Sequence, residues 1–75
     1  MSDTTSLARR EAAIWLDEQA EHGYEYADNF RIAEVGNVEE EEAYDRAAER
    51  GCCGFFDTQK SFRGVLFRLG FNYGH

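Results

Sequence analysis

Cys52 and Cys53 stand side by side, and His75, His22 and Asp57 supply the other side chains with obvious chemical reach. Thiolates and imidazoles are donors that zinc accepts, so Cys52, Cys53 and His75, with His22 as a fourth ligand, are the metal set to weigh. Adjacent cysteines in an extended segment point to opposite faces, whereas structural zinc usually draws on two Cys-x-x-Cys-like knuckles. A small Cys/His metal-binding module is therefore the alternative reading, and no cofactor is expected. A cysteine nucleophile would need a histidine base and an orienting acid, nominally Cys52 or Cys53 with His75 or His22 and Asp57. Those residue types alone do not define a triad, and a chain this short is not expected to wall off a pocket. It has no glycine-rich phosphate loop and no His-Glu-x-x-His. The expectation is a protein that is not an enzyme. Neighbouring cysteines cannot close an ordinary loop on each other, so a reducing, cytoplasmic setting is expected.

Charge carries more information. The net charge is −7, but residues 11–45 hold twelve acids against one base, Arg31. Residues 1–10 sum to +1 and residues 46–75 to +3. Phosphates would be repelled by most of such a surface, so direct nucleic-acid binding is not expected. Lys60, Arg63 and Arg68, near Phe62 and Phe67, read instead as partners for local acids or as solubilising charges on a sheet edge. A basic protein partner is the favoured one. No apolar run approaches the length needed to cross a bilayer, and the first residues do not read as a secretory signal.

The acids matter only where elements hold them. Ser6 or Thr5 as a cap and Gly23 as a stop predict a first helix over Ser6–His22. Its core stripe is Ala8, Ala12, Trp15, Leu16 and Gln19. A second stripe, Leu7, Glu11, Ile14, Glu18 and Glu21, sets an aliphatic side chain inside an acidic rim, as at interfaces. An extended segment follows over Asn29–Val35. Asn37, with Glu40 three positions on as in a capping box, starts a second helix over Val38–Arg50. Ala43, Tyr44, Ala47 and Ala48 are its apolar face.

Within "NVEEEEAYDRAAERG", the helix dipole accounts for Glu39 and Glu40, and Glu42 can pair with Arg46 at i,i+4. Glu41, Asp45 and Glu49 are left beside Glu42 with no base among them. Like charges at this spacing cost about 0.2–0.5 kcal/mol per pair. A row like that resembles the phosphates of a nucleic-acid backbone and suits a lysine- and arginine-lined groove.

The last third reads as β: "CCGFFDT" as a strand, "QKS" as a turn and "SFRGVLFRLGFNYGH" as a long strand. Val65, Phe67, Leu69, Phe71 and Tyr73 alternate strictly, the period-2 mark of one buried face. Leu66, Arg68, Gly70 and Asn72 form the other, mostly polar face. Gly64 and Gly70 suggest bulges or close backbone approach. The order α-β-α-β-β predicts a single α+β domain over residues 1–75. Its expected form is a three-stranded, mainly antiparallel sheet with two helices on one face.

A very small acidic chain with this layout and no catalytic motif resembles the inhibitors encoded by phages, the anti-CRISPR proteins among them. The likeness covers the whole chain in size, charge and layout, and the ending "GCCGFFD…GFNYGH" is similar to the close of small phage proteins. The resemblance implies a cytoplasmic, monomeric, stoichiometric inhibitor of a bacterial CRISPR-Cas complex, one that covers its basic DNA path or blocks nuclease recruitment. The contact residues come from the charge and face reading alone. They are Glu41, Glu42, Asp45 and Glu49 on the second helix, with Glu11, Ile14, Glu18 and Glu21 on the first. A further alternative is an accessory domain acting through a sheet edge or by self-association, with Tyr24 and Tyr26 exposed.

Overall fold

The computed structural model describes residues 3–51 and 54–74. Cys52, Cys53 and His75, on which the metal and nucleophile readings rest, lie outside the described residues. The elements are α1 (Thr4–Glu21), β1 (Asp28–Glu34), α2 (Val38–Glu49), β2 (Phe55–Phe62) and β3 (Val65–Asn72). The strands form one antiparallel sheet in the order β1-β3-β2. The expected α+β class and antiparallel three-stranded sheet are therefore present. β1 and β2 both run against β3, so they are parallel to each other, and α2 is the crossover between them.

Placement of both helices on one face is corrected. The sheet register puts Ile32, Leu69 and Thr58 in one cross-strand row and Ala33, Arg68 and Gln59 in the next, on opposite faces. α1 buries Ala8, Ala12, Leu16 and Ala20 against Phe67, Leu69 and Phe71. α2 lies on the other face, where Tyr44 meets the Phe55 ring edge-on at 5.5 Å and the Arg68 guanidinium at 4.3 Å. The physical cause is the crossover. A helix joining β1 to a parallel β2 must cross a face of the sheet, and α2 takes the one that presents Ala33, Gly70 and Phe55. α1 covers the face with the large alternating side chains. Alanines at 8, 12 and 20 bring α1 close, so rings from the sheet fill most of the space.

Local chemistry explains the element ends. α1 starts earlier than Ser6, with Asp3 at its N-cap and no side-chain cap bond. Asn37 does cap α2, accepting from the Glu40 N–H at 3.2 Å. The reciprocal half of the expected box is missing, because the Asn37 N–H donates to the Glu34 carbonyl. The hairpin turn falls at Arg63–Gly64 and not at Gln59–Ser61, which belong to β2. Both turn residues have positive φ, +52° and +82°, the two-residue geometry whose twist matches a β-hairpin. Gly64 is thus the turn, while Gly70 is a close approach. A Cβ there would sit 2.5 Å from the Phe55 ring and the Phe56 carbonyl oxygen.

An acidic helix face beside an aromatic cleft

The eight candidate contact residues do not make one surface. Glu11, Ile14, Glu18 and Glu21 point outward from α1 and Glu41, Glu42, Asp45 and Glu49 outward from α2, so they leave opposite faces of the sheet. Several are also occupied. Glu11 pairs with Arg63 at 3.1 Å, tying the hairpin turn to α1. Glu41 accepts from the Gly36 N–H at 2.7 Å, satisfying the turn before α2. Asp45 pairs with Arg68 at 3.2 Å. The row Glu41, Asp45 and Glu49, base-free along the sequence, therefore spends two of its three carboxylates on the fold. Glu42 and Glu49 remain exposed without an ion pair among the described residues.

Arg68 sits in a small polar network. The Tyr44 hydroxyl donates to Asp57 Oδ1 at 2.5 Å, and Tyr44 is itself buried. Burial first, and then the Asp57 hydrogen bond, push the Tyr44 phenol well above its ordinary range. This arrangement locks α2 to β2 and β3. Because the phenol stays protonated, it donates a hydrogen bond and does not act as a base.

The free acids gather elsewhere. Asp17, Glu18, Glu21 and Glu25 are exposed and make no ion pair among the described residues. Three of them fall in the closing turns of α1, where partial negative charge from unpaired carbonyls makes carboxylates unfavourable. α1 has no acid in its first turn and no base in its last. α2 has the opposite arrangement, with Glu39, Glu40 and Glu41 in its first turn and Arg46 in its last. Helix physics therefore explains the acids of α2 and opposes those of α1. Ile14, 56% exposed, projects from the same side of α1.

Beside these acids the surface is concave. An open cleft of about 680 Å³ lies between the end of α1 and the start of β1. Its lining includes Asp17, Glu21 and Glu25 together with Tyr24, Ala27 and Phe30. Tyr24 is fixed by rings on three sides, at 5.1 Å from Phe71, 5.1 Å from Tyr73 and 5.8 Å from Phe56. Phe30 lies 5.5 Å from Phe71 yet stays 41% exposed. A bulge between Asp28 and Arg31, with Asn29 at φ +51°, sets Phe30 there. Asparagine tolerates that left-handed conformation better than most residues. Asp17 and Glu25 are not among the acids that the charge pattern singles out, and that pattern gives no sign that Tyr24 and Phe30 line a cleft. The dipole rule applied to α1 was the available signal for Asp17.

Among the described residues, no three His, Cys, Asp or Glu side chains converge to hold a metal ion. Among the described residues, no helix is long and apolar enough to cross a membrane. Fold and surface together define a small split β-α-β domain with an added helix and an acidic, aromatic-walled face. Compared with protein-family models, curated proteins and solved structures, the chain matches none of them.

Proposed function

We propose that this protein is a non-catalytic inhibitor of the phage-encoded, anti-CRISPR type. It acts in the cytoplasm of a bacterial host and occupies a basic, DNA-handling groove of a CRISPR-Cas complex in place of DNA. The contact is made by the outward side of α1, with Ile14 as the apolar anchor and Asp17, Glu18, Glu21 and Glu25 as the acidic rim. The observation that carries the reading is the placement of unpaired carboxylates at the helix end that disfavours them. Folding gains nothing from that arrangement, whereas binding to a positively charged surface does. The α2 acids contribute less, because Glu41 and Asp45 are engaged within the domain.

The test measures target-DNA binding by a CRISPR surveillance complex with and without the protein. Inhibition should be lost with Asp17→Asn, Glu18→Gln, Glu21→Gln and Glu25→Gln combined. It should persist when Glu42→Gln and Glu49→Gln are combined. Association should slow as salt rises through the physiological range. Full inhibition by the fourfold α1 variant overturns the docking face, and no effect of the parent protein on any surveillance complex overturns the function.

A further inference from the structure

We infer that the cleft between α1 and β1 is a receptor for one arginine side chain of the partner. This rests on the docking face proposed above and names the chemistry of its concave part. Three features select a guanidinium. Two aromatic rings line the cleft: Tyr24 is held in place by Phe56, Phe71 and Tyr73, and Phe30, packed on Phe71, keeps 41% of its surface exposed, so a flat cation meets a ring that does not have to be ordered on binding. The rim carries Asp17, Glu21 and Glu25, free of ion pairs among the described residues. Among the described residues no three carboxylates converge to hold a metal ion, and acids set beside rings complement a larger organic cation.

Arginine fits such a site better than lysine. Its planar fork both stacks on rings and forms paired hydrogen bonds with carboxylates, while an ammonium is a compact, strongly hydrated point charge. The walls also explain why Phe30 is left exposed although it touches the core ring Phe71. A ring that is packed on one side and open on the other presents a stacking surface with little entropy left to lose.

The experiment is an amide-resolved NMR titration of the whole chain with N-acetyl-arginine methylamide. The lysine counterpart and the neutral citrulline counterpart serve as parallel arms. The arginine compound should give saturable shifts at Asp17, Glu21, Tyr24, Glu25 and Phe30. The lysine compound should bind about tenfold more weakly, and citrulline should leave these resonances unmoved. Glu21→Gln combined with Glu25→Gln should weaken the arginine response about tenfold, equivalent to about 1.4 kcal/mol. Phe30→Leu should weaken it while the remaining amide spectrum stays that of the parent.

Equal shifts at Glu42 and Glu49 on α2, or an equal citrulline response, would overturn the receptor. Retained inhibition of DNA binding by the Phe30→Leu, Glu21→Gln, Glu25→Gln variant would also overturn it. A saturable arginine response with no inhibition of any surveillance complex leaves the receptor standing and sinks only the inhibitor reading.

Discussion

Arg9 on α1 and Glu40 on α2 meet around the open edge of β1, with Arg9 Nη2 3.2 and 3.0 Å from the two Glu40 carboxylate oxygens. The helices lie on opposite faces of the sheet, so this ion pair clasps all three layers. Glu40 does more than pair. It also accepts from the Glu34 N–H at 2.8 Å, an edge donor that no neighbouring strand reaches. Arg9 in turn lies 5.5 Å over the Phe67 ring.

Replacing Glu40 should therefore cost more than breaking a surface ion pair. Glu40→Ala is expected to destabilise by about 2 kcal/mol, in the range for hydrogen bonds to charged groups. Arg9→Ala should cost about 1 kcal/mol, given its partial exposure. Glu40→Gln keeps an acceptor for the Glu34 N–H and should fall between wild type and Glu40→Ala. Urea unfolding of the three variants checks the order; equal losses for Arg9→Ala and Glu40→Ala would contradict the role of the Glu34 N–H.

Glu18→Lys with Glu21→Lys should stabilise the domain by about 1 kcal/mol, because both changes place cations at the end of α1 that favours them. The same change should abolish binding to a basic partner. Stability by denaturant and inhibition of DNA binding should thus move in opposite directions. A loss of stability would mean these acids support the fold after all.

Tyr44 makes stability sensitive to alkali. The folded chain holds the Tyr44 proton more tightly than the unfolded chain, whose tyrosines ionise near pH 10. Below about pH 10 the contribution is intact. Above it the unfolded state releases a proton that the folded state keeps, and stability falls by about 1.4 kcal/mol per pH unit from this residue. Tyr44→Phe should remove that slope and cost about 1.5 kcal/mol at neutral pH through the lost Asp57 bond. Denaturant midpoints between pH 8 and pH 11 provide the check.

Gly70→Ala should destabilise by about 1–3 kcal/mol, the usual range for overpacking. The added methyl would meet the Phe56 carbonyl, which is backbone and cannot rotate away. Phe55→Leu in the same chain should relieve only the ring contact. Thermal unfolding of the single and double variants separates the two clashes.

The readable parts of the sequence were those whose cause is local. Strict alternation from Val65 to Tyr73 marked β3 because one face of the strand packs rings on α1. Asn37 marked the start of α2 because a cap acts within one turn. The turn at Arg63–Gly64 was hidden, since arginine rarely adopts positive φ and the polar Gln59–Ser61 stretch imitates a loop while lying in an edge strand. The second buried face was disguised by its composition, Ala33, Arg68 and Gly70, which looks solvated until Tyr44 covers it. The candidate row on α2 was misleading for a related reason. Asp45 finds Arg68 only through the fold, and Glu41 bends back to Gly36.

β3 lies between β1 and β2, and among the described residues neither of those strands has any other strand to pair with. A chain grown only as far as Phe62 owns two helices and two strand segments but not one rung of sheet. When Val65–Asn72 arrives, it meets Asp28–Glu34 on one side and Phe55–Phe62 on the other. The sheet's three fully buried side chains in the core under α1, Phe67, Leu69 and Phe71, all come from that same segment. The sheet and the core beneath α1 thus cannot form before β3 is present, and any fragment that stops short of it should behave as an unfolded chain with a tendency towards helix.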